Sequence, residues 1–569
     1  MVSKIFLSIK HQVTFFLATV LLFGHMNLFA NDRKVDFSSN VKIPEPQISK
    51  EFAKDGVRYV FLISMDGLRP DEINEMGPEN LPNMYRMRVE GSLTDNARTD
   101  YDITKTLPNH ACMLTGRRVT GSQGHKLDFN VDDGSTFRDL SGSYISSIWD
   151  IIHDRGLYTG MYASKRKFAL YERSWNEKNG VSDTIGIDNG NDKIDEYVYN
   201  PYTSSLINTT ISKLNQTPHN FCLIHLRDLD SEGHASGWGS VEYKNALRKM
   251  DHHLGKVFEL IDNNSQYTNK SAVILTSDHG GNGTSHSTPS DPKVYTIPFY
   301  VWGPGVPAGV DLYVLNKTTR IDPGIGRPFY DVHPQPIRNG DAGNLVADIL
   351  NIVAIPGSTI NSSQDLKITA SDDELDIPSV TITAPSHGKI FGESDSIKIE
   401  ASVSIRNKEV SRLEFYSNWT LVGIDSITPY SYKWSPPKAG GYTITVRAVD
   451  ASGIGGVHST FVGIAPKVYS AKKVGKPVSY QLRENFPNPF NLITTITYQI
   501  PEENLVRMEI FNVSGQKIRD LVHRFEPAGS HLITWNGLDQ HGKAVSSGVY
   551  YYRLSAGTYR ETKKMILMR

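Results

Sequence analysis

Apolar residues follow two different rhythms along this chain. Up to about residue 366 they come in unbroken runs of strand length, at Tyr59–Ser64, Phe221–Leu226, Ala272–Thr276 and Phe299–Trp302. These runs end in Gly- and Asp-rich loops, with helix-like stretches between them. Unbroken apolar runs predict strands covered on both faces, hence an α/β domain with a mostly parallel sheet and helices on either side. Beyond that point the rhythm becomes alternation, as in Ser379-Val-Thr-Ile-Thr383, Ser396-Ile-Lys-Ile-Glu-Ala401 and Tyr442-Thr-Ile-Thr-Val-Arg-Ala448. Period-two alternation between turns predicts all-β sandwiches. The acidic, Pro-ended Ser371–Pro378 and the Lys/Gly/Pro-broken Ala465–Pro477 mark the joints. The expected order is a leader over 1–30, an α/β domain over 31–366, a linker over 367–378, a sandwich over 379–466, a linker over 467–478 and a second sandwich over 479–569.

Lys4 and Lys10 precede the short apolar core Val13–Phe23, and Leu28-Phe29-Ala30 ends in a small residue. This is the pattern of an export signal, with cleavage expected after Ala30. No later stretch reaches about 18 apolar residues, so no membrane span is expected in the mature chain. The 60 Lys and Arg nearly balance the 61 Asp and Glu, for a net charge of -1. That balance supplies no basic field for specific nucleic-acid binding. Two cysteines, Cys112 and Cys222, exclude a disulfide scaffold and a cysteine-based zinc ribbon; both lie in apolar runs and are expected as buried thiols.

Candidate chemistry lies where the apolar runs end. Tyr59–Ser64 runs into Met65-Asp66-Gly67. Phe221–Leu226 runs into Arg227-Asp228-Leu229-Asp230-Ser-Glu-Gly-His234. Ala272–Thr276 runs into Ser277-Asp278-His279-Gly280. In parallel α/β sheets, ligands bind at the carboxyl ends of the strands. Mixed Asp and His donors suit a borderline divalent ion such as zinc. Asp66, Asp278 and His279 are candidates for one ion, and Asp230, His234 and a further His for a second, with His286 the nearest. Thr106 in Thr104-Lys-Thr-Leu-Pro-Asn-His110 precedes a helix-like run, with Pro108 suited to a first turn. A hydroxyl there faces helix N–H groups that favour an anion, and a metal could make it a nucleophile.

Ser-Met-Asp66-Gly, Thr-Lys-Thr106-Leu-Pro-Asn-His, Asp230-Ser-Glu-Gly-His234 and Ser-Asp278-His279-Gly together resemble the type I phosphodiesterase/nucleotide pyrophosphatase branch of the alkaline phosphatase superfamily, over roughly residues 56–362. The resemblance implies a Thr106 nucleophile that forms a covalent phospho-enzyme between two zinc ions. One ion would take Asp66, Thr106, Asp278 and His279. The other would take Asp230, His234 and a third His, for which His286 is preferred to His333. Asn130 matches a phosphate-contacting amide of the family. Lys165 and Lys167 are similar to the Lys-x-Lys or Lys-x-Arg pair of superfamily phosphomonoesterases and phosphonoacetate hydrolases. Two cations on one face of an extended segment would favour a doubly charged phosphate. The Cys/Ser-x-Pro-x-Arg sequence of sulfatases is missing before the nucleophile helix.

Residues 379–465 resemble bacterial Ig-like modules through Leu413–Tyr416, Asn418, Leu421–Gly423 and Pro429–Trp434. Trp419, Tyr432 and Trp434 offer either a sugar-stacking face or core packing, and the core is the expected place. Leu482–Phe490, Phe511-Asn-Val-Ser-Gly-Gln, Trp535-Asn-Gly and the terminal Lys563-Lys-Met-Ile-Leu resemble the C-terminal sorting domain of type IX secretion substrates. That implies the type IX machinery as a partner and a secreted or surface-attached protein. The combined expectation is a two-metal hydrolase of small phosphate esters working through phosphothreonine, first of all a phosphodiesterase. A phosphomonoesterase or phosphonate hydrolase is the enzyme alternative, and an adhesin with an inert hydrolase fold the non-enzyme one.

Overall fold

The computed structural model describes residues 56–182, 190–368, 377–465, 477–486, 488, 490, 494–540 and 543–567. The expected leader and the Ala30 cleavage point lie outside these residues, as do parts of both expected linkers. The α/β region is built on β1 (Tyr59–Met65), β2 (Ser92–Arg98), β3 (Thr159–Ala163), β4 (Glu196–Tyr199), β5 (Phe221–Leu226), β6 (Ser271–Thr276), β7 (Thr296–Trp302) and β8 (Val310–Asp311). They form one sheet in the order β4-β3-β5-β1-β6-β7-β2-β8. Pairing is parallel from β4 to β6. The run at Phe299–Trp302 was expected to join a parallel sheet, but β7 lies antiparallel to both β6 and β2. Burial on both faces gives a strand an apolar run whichever way it points, so the run carried no direction.

The helices that matter most for the site are α1 (Pro82–Glu90), α2 (Thr106–Thr115), α3 (Asp228–Ser236), α4 (Val241–Asn263) and α5 (Asp341–Ile349). Side chains alternate faces along a strand, and β1 shows why both faces need cover. Val60 and Leu62 join Leu107, Ala111 and Leu345 of α2 and α5 in one core. Phe61 and Ile63 join Met84, Met87, Leu247 and Leu254 of α1 and α4 in the other. Among the described residues no helix is long and apolar enough to cross a membrane, and Cys112 and Cys222 are buried free thiols.

Beyond the α/β region, Ser379–Ala465 folds into a three-stranded and a five-stranded sheet around a shared core. Residues 481–567 form a further three- and four-stranded pair. Trp434 is in the first of these cores and Tyr432 packs against it. Trp419 instead donates to Glu90 Oε1 of α1 at 3.4 Å. Arg447, buried and paired with Glu414, donates to the carbonyls of Ala308 and Gly309 next to β8. The first sandwich is thus docked on the far edge of the main sheet, and its aromatics are used in packing.

Candidate functional site

Register brings the strand ends together. β1 lies between β5 and β6, with Met65 opposite Leu226 and Ser64 opposite Thr276. Asp66, Asp230 and Asp278 therefore emerge from adjacent strands at one edge. Gly67 makes the first turn with φ of 81°, and a Cβ there would meet the Asp230 backbone at 3.1 Å. Trp238 Nε1 and Tyr243 Oη each donate to the Gly67 carbonyl at 2.9 Å, which ties this turn to α4.

Two clusters result. Asp66, Asp278 and His279 offer ligand atoms all within 4.8 Å of one another, and so do Asp230, His234 and His286. His333 is exposed and belongs to neither cluster. Each clustered imidazole has Nδ1 against a backbone carbonyl: His279 on Gly280 at 2.8 Å, His286 on Thr104 at 2.7 Å and His234 on Thr284 at 2.9 Å. A carbonyl only accepts, so Nδ1 carries the proton and Nε2 presents a lone pair. Those lone pairs face carboxylates: His279 Nε2 is 3.3 Å from Asp278 Oδ2, and His234 and His286 Nε2 are 3.3 and 3.6 Å from Asp230 Oδ1. Acceptor facing acceptor is repulsive without a cation between them. Asp66 Oδ1, Asp230 Oδ1, Asp278 Oδ2 and His279 Nε2 are moreover buried with no hydrogen-bond partner. The donor set and its orphaned atoms fit two divalent ions.

Burial pushes His279 down to about 3, helped by the neighbouring His286, so its ring stays neutral and able to ligate. Burial and Asp66 push the Asp278 carboxyl well up. Burial also raises Asp66, but Lys165 and His225 more than offset this and hold it well below the usual range. The three carboxylates are crowded, and cationic charge decides which of them stay ionised.

Thr106 is the first residue of α2 and is buried; its hydroxyl caps nothing, because Lys105 is the N-cap and makes no side-chain cap. Lys165 Nζ lies 3.3 Å from Thr106 Oγ1, 2.5 Å from Asp66 Oδ2 and 2.6 Å from Asp230 Oδ2. The nucleophile candidate and both clusters therefore meet at one ammonium group. Lys165 and Lys167 do not share an extended segment, since Arg166–Phe168 form a 3-10 turn. Lys167 Nζ instead donates to Asn130 Oδ1 at 2.8 Å, an oxygen that also accepts the Leu107 N–H at 3.0 Å. Burial and Lys165 bring the Lys167 ammonium down to about 8.

Two further histidines support the site, one at the end of the Thr104–His110 motif and one with no role assigned from the sequence. His110 bridges Ser64 Oγ and the Thr106 carbonyl at 2.8 Å each, and His225 lies 3.0 Å from Asp66 Oδ2. The signal for His225 was present: it is a lone imidazole inside the apolar run Phe-Cys-Leu-Ile-His-Leu.

Residues 60–296 match the family model for type I phosphodiesterase/nucleotide pyrophosphatase, 378–446 that for a bacterial Ig domain, and 484–568 that for a secretion system C-terminal sorting domain. Human GPI ethanolamine phosphate transferase 1 is 23% identical over 262 residues, covering 44% of this chain and 26% of that protein. Rat ectonucleotide pyrophosphatase/phosphodiesterase family member 1 is 26% identical over 250 residues, 42% of this chain and 25% of that protein. The match thus spans about a quarter of the length of these curated relatives. Among solved structures, murine ectonucleotide pyrophosphatase/phosphodiesterase 5 is 14% identical with a TM-score of 0.38, covering 54% of this chain and 99% of that one. An alkaline phosphatase superfamily protein from Vibrio parahaemolyticus is 14% identical with a TM-score of 0.37, covering 71% and 82%. By these matches, residues 60–296 are a type I phosphodiesterase/nucleotide pyrophosphatase-like domain and residues 378–446 a bacterial Ig domain. Its terminal module is a secretion sorting domain, which marks it for type IX passage to the cell surface or beyond.

Proposed function

We propose that this chain is a two-metal hydrolase of phosphate esters that works through a phosphothreonine at Thr106. One observation carries the reading: Thr106 Oγ1 and both Asp/His clusters converge on Lys165 Nζ, with three imidazoles presenting Nε2 lone pairs. Asp66, Asp278 and His279, joined by Thr106, would hold one ion, and Asp230, His234 and His286 the other. Zinc suits these donors, and when bound such ions lower the pKa of a hydroxyl nucleophile and neutralise charge on reacting oxygens. The chain's own part is positioning. The N-terminus of α2 and Lys165 favour the phosphoryl charge beside Thr106. Asn130, its oxygen occupied by Leu107 N–H and Lys167, would use its amide N–H donors on a nonbridging oxygen. Thr106 Oγ1 bonds to phosphorus as the bond to the leaving oxygen breaks; water then cleaves the phosphothreonine and restores the hydroxyl.

The matched family points to diesters or pyrophosphates as substrates. A specific observation favours a second reading, a terminal dianionic phosphate: Lys165 Nζ is 3.3 Å from Thr106 Oγ1 and Lys167 Nζ is bonded to Asn130, the proposed phosphate-contacting amide, and a monoester gains more from two ammonium groups than a diester does. Parallel assays with p-nitrophenyl phosphate and bis-p-nitrophenyl phosphate separate the two readings. Thr106→Ala should lower either rate at least about a thousandfold. Full activity in that variant would sink the threonine mechanism.

A further inference from the structure

Resting on the two-cation reading, we infer that His225 is a positioning residue that holds Asp66 in its ligating orientation, in a tautomer set by Ser164. Pairing places it there: His225 is opposite Ser64 of β1 and Ala163 of β3, so the ring lies between Asp66 and Ser164. The ring is fully buried, so each nitrogen needs a partner. The Ser164 backbone N–H donates to Nδ1 at 3.4 Å. Ser164 Oγ also lies 3.2 Å from Nδ1 and shares its proton between that nitrogen and the His225 carbonyl; a peptide N–H cannot accept, so Nδ1 is the acceptor and the proton of the neutral ring is on Nε2. Nε2 then donates to Asp66 Oδ2 at 3.0 Å. The same oxygen meets Lys165 at 2.5 Å, while Asp66 Oδ1 has no hydrogen-bond partner. His225 therefore saturates one oxygen and leaves the other for an ion. Phe168 at 4.2 Å and His110 at 5.0 Å between ring centroids keep the imidazole from rotating away.

The series Ser164–His225–Asp66 is not a nucleophilic triad. Ser164 Oγ is buried and donates to the His225 carbonyl at 2.9 Å. Its part is to hold the strand end that sets the ring.

The test is zinc binding by the full chain, followed by competition with a chromophoric chelator, with melting curves to verify folding. Wild type should bind two equivalents. In His225→Leu one equivalent should weaken about ten- to a hundredfold, the usual cost of losing such a supporting hydrogen bond, while the other is unchanged. His225→Gln, whose amide N–H reaches the Nε2 position, should recover affinity to within about threefold of wild type on the same scale. His225→Asn, with its amide at the Nδ1 position, should not, and this pair carries the test if the Leu variant does not fold. Wild-type affinity in folded His225→Leu or His225→Asn overturns the assignment, and so does Gln binding as weakly as Asn. A wild-type chain that takes up no metal overturns the two-cation reading itself, together with this assignment.

Discussion

Gly67 shows how much the site depends on one backbone torsion. With φ of 81° and the Asp230 backbone 3.1 Å from a notional Cβ, Gly67→Ala is strained in itself and pushes the Asp66 turn away from Asp230. The expected cost is about 1–2 kcal/mol in stability, with a larger loss of activity than of fold. Urea unfolding compared with turnover of a chromogenic ester separates the two effects. The ligand side chains make a related prediction. Without a cation, three Nε2 lone pairs face carboxylates that burial already disfavours, so chelation should abolish activity and also lower the melting temperature. A melting curve unmoved by chelator would argue that the clusters hold no ion.

At the scale of elements, α1 is an example of a helix stabilised from outside. Its N-cap, Leu81, makes no side-chain cap. Asp251 in the middle of α4 does that job, accepting from Met84 N–H at 2.7 Å and from Asn83 N–H at 3.2 Å. Asp251→Ala should cost about 1–2 kcal/mol, as for a lost cap, read from denaturant midpoints. Burial also pushes the Asp251 carboxyl up to about 6, against an ordinary 3.8. A raised carboxyl pKa means the folded state takes up its proton first. The contribution to stability is then full below about pH 3.8 and is lost as pH rises through about 6. Asp251→Asn should flatten the stability profile across that window. An unchanged slope would show that other groups govern it.

For the molecule as a whole, the first sandwich is docked on the α/β domain and is not a tethered appendage. Arg447 joins the two through the Ala308 and Gly309 carbonyls while paired with Glu414, both side chains buried. Arg447→Ala leaves Glu414 with Arg412 as its cation but takes the guanidinium donor from the Ala308 and Gly309 carbonyls, and should cost about 1–3 kcal/mol. Limited proteolysis should then release the sandwich from the α/β domain. Cleavage no faster than in wild type would show that the seam at Glu90, Trp419 and Ser459 suffices alone.

What the sequence determined by itself was local. Unbroken apolar runs ending in Asp, His and Gly announced strands whose carboxyl ends carry chemistry, because burial on two faces and sharp turns each impose a composition. Alternation announced the sandwiches in the same way. Thr106 drew notice because Pro108 marks the first turn of a helix that begins at Thr106 itself. Tertiary structure decided whatever depends on which strands become neighbours. His286 was already preferred to His333 from the sequence, but its 3.6 Å distance to Asp230 Oδ1 comes from the loop after β6. The Lys167 bond to Asn130 came from a 3-10 turn where an extended segment was expected. The antiparallel course of β7 had no signature, since a doubly covered strand reads the same in either direction. His225 lies within an apolar run, and only the alignment of β1, β3 and β5 puts it between Asp66 and Ser164. Its role depends on hydrogen bonds between residues far apart in the chain, and pairing register alone brings those groups within reach.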